Sequence, residues 1–155
     1  MIHFLATLCG ILFVYAVVKI LDYFFDNKDE EPQENMMTVI HQQWYKERRA
    51  LIIDREHFGT VHVSVPDADL EDNRIQGKAD ALIYSLWVDE HFRGNGVGRK
   101  LLKRAEWEAK IMGCKSVCLE WDCRETPEWV LRWYKCMEYD AKRIDDFTWL
   151  LTKDL

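Results

Sequence analysis

Three short runs, Met37 to Trp44, Ala50 to Ile53 and Gly59 to Val65, are rich in β-branched and aromatic residues, and charged or glycine-containing breaks separate them. That pattern predicts an antiparallel meander, with Pro66 ending the third strand. Pro66 to Asp80 is polar and acidic and reads as a mobile loop, which delivers the chain to a strong strand at Ala81 to Val88 (ALIYSLWV). From Val97 to Met112 the residues Leu101, Ala105, Ala109 and Met112 recur at helical spacing with Lys and Arg opposite them, and Gly113 marks the helix end. Lys115 to Trp121 predicts another strand, Pro127 to Met137 a second amphipathic helix, and Tyr139 to Thr152 a terminal hairpin turning at Asp145 and Asp146. No internal repeat interrupts this order.

Ahead of it lies a different pattern. Ile2 to Phe25 is interrupted only by His3, Lys19 and Asp22, close to the ~20 apolar residues that cross a bilayer. The run ends in Tyr23, Phe24 and Phe25 rather than at a small-residue cleavage site, so it reads as a retained anchor and not a signal peptide. Lys19 and Lys28 lie on its C-terminal side, which by the positive-inside bias puts the rest of the chain in the cytosol. A soluble helix packed in the fold or in a homodimer is the alternative, since Lys19 and Asp22 suit a solvated edge. Asp26 to Asn35 is acidic and aperiodic, a tether. The organisation read from the sequence is thus a transmembrane or anchor helix over 1–25, a linker over 26–35 and one domain over 36–155.

Charge and cysteine content narrow the partners. A net charge of −6 over 155 residues argues against nucleic acid, which requires a basic footprint, and suits a cationic acceptor. The five cysteines are an odd count, with Cys9 in the leader and Cys114, Cys118, Cys123 and Cys136 in the domain. They read as reduced, buried thiols; no pair has the spacing of a metal site, so no metal is expected. Of the tryptophans Trp87, Trp107, Trp121, Trp129, Trp133 and Trp149, most are expected to pack the core.

The informative segment follows the fourth strand. Arg93-Gly94-Asn95-Gly96-Val97-Gly98, running into a helix, offers backbone N–H groups free of Cβ atoms at the positive end of a helix dipole, a turn suited to a pyrophosphate. It is not a Walker loop, and Arg99 stands where a dinucleotide fingerprint has its third glycine. In the form R-x-x-G-x-G, between strand and helix, VDEHFRGNGVGRKLL resembles the acetyl-coenzyme A signature of the GNAT acyltransferase superfamily. WYKCMEY at Trp133 to Tyr139 resembles its F-Y-x-x-x-G-F element, with Glu138 in place of the glycine.

The resemblance implies an α+β fold with a mixed, splayed sheet and helices on both faces. It implies transfer of an acetyl group from acetyl-coenzyme A to a primary amine of a protein or small molecule, directly and without a metal. It implies cofactor contacts from Val88, Arg93, Gly94, Asn95, Gly96, Val97, Gly98 and Arg99, the Val88 N–H polarising the thioester carbonyl. Glu120 is the implied general base and Tyr134 the implied general acid. A phenol at pKa ~10 can protonate a thiolate whose thiol titrates at ~8.5. Only Lys46 to Arg49 stands where relatives place helices that wall the acceptor site, so that side is open or walled by the acidic loop. A membrane-tethered protein that binds the cofactor but no longer catalyses is the rival reading, and a soluble polyamine or aminoglycoside acetyltransferase a third.

Overall fold

The structure is a computed structural model that describes residues 37–67 and 78–155. The anchor and tether lie outside the described residues, as does most of the acidic loop. Among the described residues no helix is long and apolar enough to cross a membrane.

Strands β1 (Met37–Trp44), β2 (Glu47–Asp54), β3 (Gly59–Pro66) and β4 (Ala81–Val88) form the expected meander. Helix α1 (Val97–Ile111) then crosses to β5 (Ser116–Asp122), which lies parallel to β4. Helix α2 (Glu128–Cys136) leads to β6 (Asp140–Arg143), and β7 (Thr148–Asp154) inserts between β5 and β6. The sheet order is β1-β2-β3-β4-β5-β7-β6. Strand β2 begins at Glu47, ahead of the apolar run read at Ala50, because its ladder with β3 continues to Glu47 opposite Pro66. Pairing across the sheet overrides the weak strand preference of Glu47, Arg48 and Arg49.

Alternation along each strand decides the faces. Ala50 and Ile52 of β2, Val61 and Val63 of β3, Ala81 and Ile83 of β4 and Val117 and Leu119 of β5 are buried, against Leu101, Leu102, Ala105 and Ala109 of α1 and Leu131 and Tyr134 of α2. Both crossovers step the same way along the sheet, and the usual right-handed connection puts both helices on one face. A bond from the Tyr139 hydroxyl to Glu106 of α1 (3.0 Å) ties the end of α2 to α1. The other face carries no helix among the described residues, where helices on both faces were expected. Gly59 lets β3 touch α1: a Cβ there would meet the Leu101 Cδ1 at 2.7 Å. Cys114 and Cys118 are buried as expected, whereas Cys123 and Cys136 are exposed, Cys123 in the turn after β5 and Cys136 at the last residue of α2.

Candidate functional site

Strands β4 and β5 are joined at one end only. Their ladder consists of Ala81 opposite Val117 and Leu82 opposite Cys118. Asp80 clamps that end: its Oδ2 accepts from the amides of Lys115 (2.8 Å) and Ser116 (3.2 Å), and its own amide donates to the Ser116 hydroxyl (3.1 Å). Beyond it β4 bends away. Thr60 faces Trp87 and His62 faces Tyr84, so Ser85 and Leu86 together oppose Val61, a bulge in which Ser85 takes φ +52°. The extra residue reverses the alternation, so Leu86 and Val88 reach the core while Ser85 and Trp87 turn to the other face.

The reversal also aims a backbone group. Gly59 lies opposite Val88, and the bond from the Asp89 amide to the Phe58 carbonyl (3.0 Å), one step on, makes theirs a non-hydrogen-bonded pair. The N–H and C=O of Val88 therefore turn away from β3 into the gap. Arg93 Nε donates to that carbonyl at 2.9 Å, tying the glycine turn to the strand end.

The turn itself has the expected form. Gly94 and Gly96 both sit at φ +79°, conformations that cost an L-residue strain, and Gly96 is the uncapped N-terminal neighbour of α1. Among the described residues no oxygen accepts from the amides of Gly94 through Arg99; pairing begins with the Lys100 amide on the Gly96 carbonyl (3.1 Å). Gly98 has ordinary φ and only a 3.8 Å neighbour for a Cβ, so nothing in the protein itself requires glycine there.

A cavity of about 1400 Å³ runs from this turn through the gap to the helix-free face. That exceeds the ~300–1,000 Å³ of a typical single-ligand pocket, leaving room for two substrates. Val88, Arg93, Gly94, Gly96, Gly98 and Arg99 line it, as do Glu120 and Tyr134. Asn95 is exposed on the turn and not among the lining residues, and the Val97 side chain is buried in the core, leaving its amide alone to face a ligand.

The two candidate catalytic groups approach from opposite faces. Glu120 is exposed on the helix-free side of β5, its neighbours Leu119 and Trp121 pointing to the core. Tyr134, on α2, is only 9% exposed, packed edge-on against Tyr139 (5.8 Å) and tilted on Trp133 (4.8 Å). Its hydroxyl bonds no described residue but is not sealed off. Burial pushes the phenol up to about 12, so it is protonated at any physiological pH.

Glu138, where the related motif has glycine, adopts φ +69°. The turn survives: the Glu138 amide donates to Lys135 (3.1 Å) and the Tyr139 amide to the Tyr134 carbonyl (3.2 Å), the paired bonds of a Schellman cap.

Three features were invisible to the sequence reading: the Ser85 bulge, the Asp80 clamp, and a polar cluster of Glu47, Arg49 and Ser64 at the far end of the cavity. Most of the tryptophans were expected in the core; Trp87 and Trp129 are instead exposed and line the cavity, and among the described residues the buried Trp121 Nε1 has no partner. Among the described residues no three metal-ligating side chains cluster.

Comparison with known proteins accords with this geometry. The acetyltransferase (GNAT) family model matches residues 17–139, starting within the stretch read as an anchor. Searched against the curated proteins, the chain matches none. Among solved structures it resembles a Klebsiella pneumoniae protein described as an acyl-CoA N-acyltransferase (TM-score 0.54, 16% identity, 90% of this chain and 86% of that one). A Bacillus cereus acetyltransferase (TM-score 0.50, 22% identity, 91% and 89%) is similar as well. So is the PaiA N-acetyltransferase of Thermoplasma acidophilum in complex with coenzyme A (TM-score 0.51, 14% identity, 71% and 62%). At these identities the likeness is one of fold.

Proposed function

Because the chain belongs to the acetyltransferase (GNAT) family, we propose that it transfers an acetyl group directly from acetyl-coenzyme A to a primary amine. The observation that carries this reading is the one-ended β4–β5 seam, whose cavity joins a turn of unpaired amides to Tyr134 and Glu120. The residues present fit the cofactor. The amides of Gly94 to Arg99 suit a diphosphate at the helix tip, the side chains of Arg93 and Arg99 add charge, and Gly98 leaves room for close approach.

Bound there, acetyl-coenzyme A supplies the thioester carbonyl that the amine attacks and the thiolate that leaves. The Val88 N–H, aimed into the gap, donates to the carbonyl oxygen as it gains charge. Glu120, on the helix-free face, takes a proton from the acceptor ammonium, and Tyr134, on the helix face, gives one to the thiolate. Their placement on opposite faces supports the division of labour: base where the acceptor enters, acid where the leaving group lies.

Calorimetry tests the cradle. Gly96→Ala forces a Cβ into a left-handed position, and acetyl-coenzyme A affinity is expected to fall by about tenfold, the equivalent of ~1–2 kcal/mol. Unchanged affinity removes the turn from the site. The leader carries a further proposal: Ile2 to Phe25 anchors the chain in a membrane with the domain in the cytosol, where acetyl-coenzyme A is available. Release of the full chain from membranes by high salt, without detergent, overturns it.

A further inference from the structure

On the helix-free face the cavity ends at a cluster for which the reaction above has no use. Arg49, Ser64 and Leu82 are successive register partners across β2, β3 and β4, and Glu47 shares their face two residues before Arg49. Glu47 Oε2 accepts from Arg49 Nε (2.8 Å) and from its Nη2, while Oε1 accepts from the Ser64 hydroxyl. The Arg49 guanidinium also lies over the Trp44 ring, 5.5 Å from its centroid. The Glu47 side chain is 17% exposed and that of Arg49 37%; both line the cavity.

This arrangement engages most of the carboxylate and leaves the guanidinium with more capacity. Glu47 Oε2 takes both of its donors from Arg49 and Oε1 takes one from Ser64, so three of about four acceptor sites are filled and the charge is already paired with the guanidinium. Arg49 is held in plane by its carboxylate and by stacking, yet among the described residues its Nη1 donates to none. A guanidinium already ordered loses little entropy when it accepts a carboxylate, and charge-assisted bonds of this kind are the strong ones. Nearby His62, stacked on Tyr84 at 5.1 Å, is held below the usual imidazole range by burial and by Arg49, and so adds no second cation at neutral pH. Glu120 shares this face, with β3 and β4 between β2 and β5. Two paired-strand spacings of about 4.8 Å and the open β4–β5 gap lie between the two.

We propose that Arg49, oriented by Glu47, Ser64 and Trp44, is the acceptor-recognition residue, and that the acceptor is an amine that also bears a carboxylate, the two groups several atoms apart. The inference rests on the acyltransferase reading above. It runs against the expectation of a cationic acceptor drawn from net charge, because among the described residues this end of the cavity offers an unused donor beside a carboxylate that Arg49 and Ser64 already engage.

Calorimetry on the coenzyme A-loaded protein tests it, comparing ω-amino acids from glycine to 6-aminohexanoate with n-alkylamines of matched length. For at least one length beyond glycine the amino acid is expected to bind at least tenfold more tightly than its alkylamine. Arg49→Gln should abolish that difference and Arg49→Lys restore part of it, with coenzyme A affinity unchanged and melting temperatures confirming that both variants fold. Equal affinities in every pair, tighter binding of the alkylamines, or a preference that survives Arg49→Gln overturns the proposal, as does binding of coenzyme A without any member of either series. Failure of coenzyme A itself to bind instead overturns the reading beneath it, and this one with it.

Discussion

The two ends of the β4–β5 seam contain the same strands and do opposite things. At the closed end Asp80 satisfies the amides of Lys115 and Ser116, and two residue pairs complete the ladder. At the open end the Ser85 bulge turns β4 toward α1, and the peptide groups of Val88 face a cavity instead of β5. A sheet normally satisfies its backbone groups wherever it can. The difference shows that a site of this kind is made by withholding pairing from a few residues, and that the cost is tolerable only because the other end is fastened.

Altering either end should separate these roles, and the largest effect is expected at the open end. Burial favours the neutral Tyr134 phenol, so the stability it lends is complete below its unfolded pKa of ~10 and is lost as pH rises through about 12. Two units correspond to about 3 kcal/mol, and denaturant melts between pH 9 and 12 should show a correspondingly shallower decline in Tyr134→Phe than in the parent. The same substitution is expected to reduce turnover about a hundredfold with little change in cofactor affinity. Unaltered turnover takes the tyrosine out of the reaction. At the closed end, Asp80→Ala gives two exposed amides back to water and should cost ~1–2 kcal/mol in a chemical melt. If instead it leaves stability unchanged, the clamp is not what fastens the seam. The smallest effect belongs to Glu138→Gly, which relieves a left-handed glutamate and should raise stability by about 1 kcal/mol without touching turnover.

Much of this was legible beforehand, for a reason visible in particular residues. Leu101, Ala105 and Ala109 state a helix by spacing alone, and the R-x-x-G-x-G turn is contiguous, so its geometry follows from local φ preferences. Tyr134 and Glu120 were found through motif and order, not through any contact the sequence reveals. Ser85 gave no signal, because serine is not a residue that announces a positive φ, and its bulge exists only relative to Val61 on another strand. Glu47 and Arg49 read as a break in the apolar pattern, since what makes them a strand is β3, and what makes them a site is Ser64.

The chain's own order of residues thus determined the elements, their sequence along the chain and the phosphate-suited turn, all of which depend on neighbours a few positions apart. Which strands part and, among the described residues, which face stays free of helix and which arginine keeps an unused donor were decided only by tertiary structure. Each depends on pairing between residues 15 to 36 positions apart, Arg49 in register with Ser64 and Asp80 bonded to Ser116, and no local preference encodes a partner that distant.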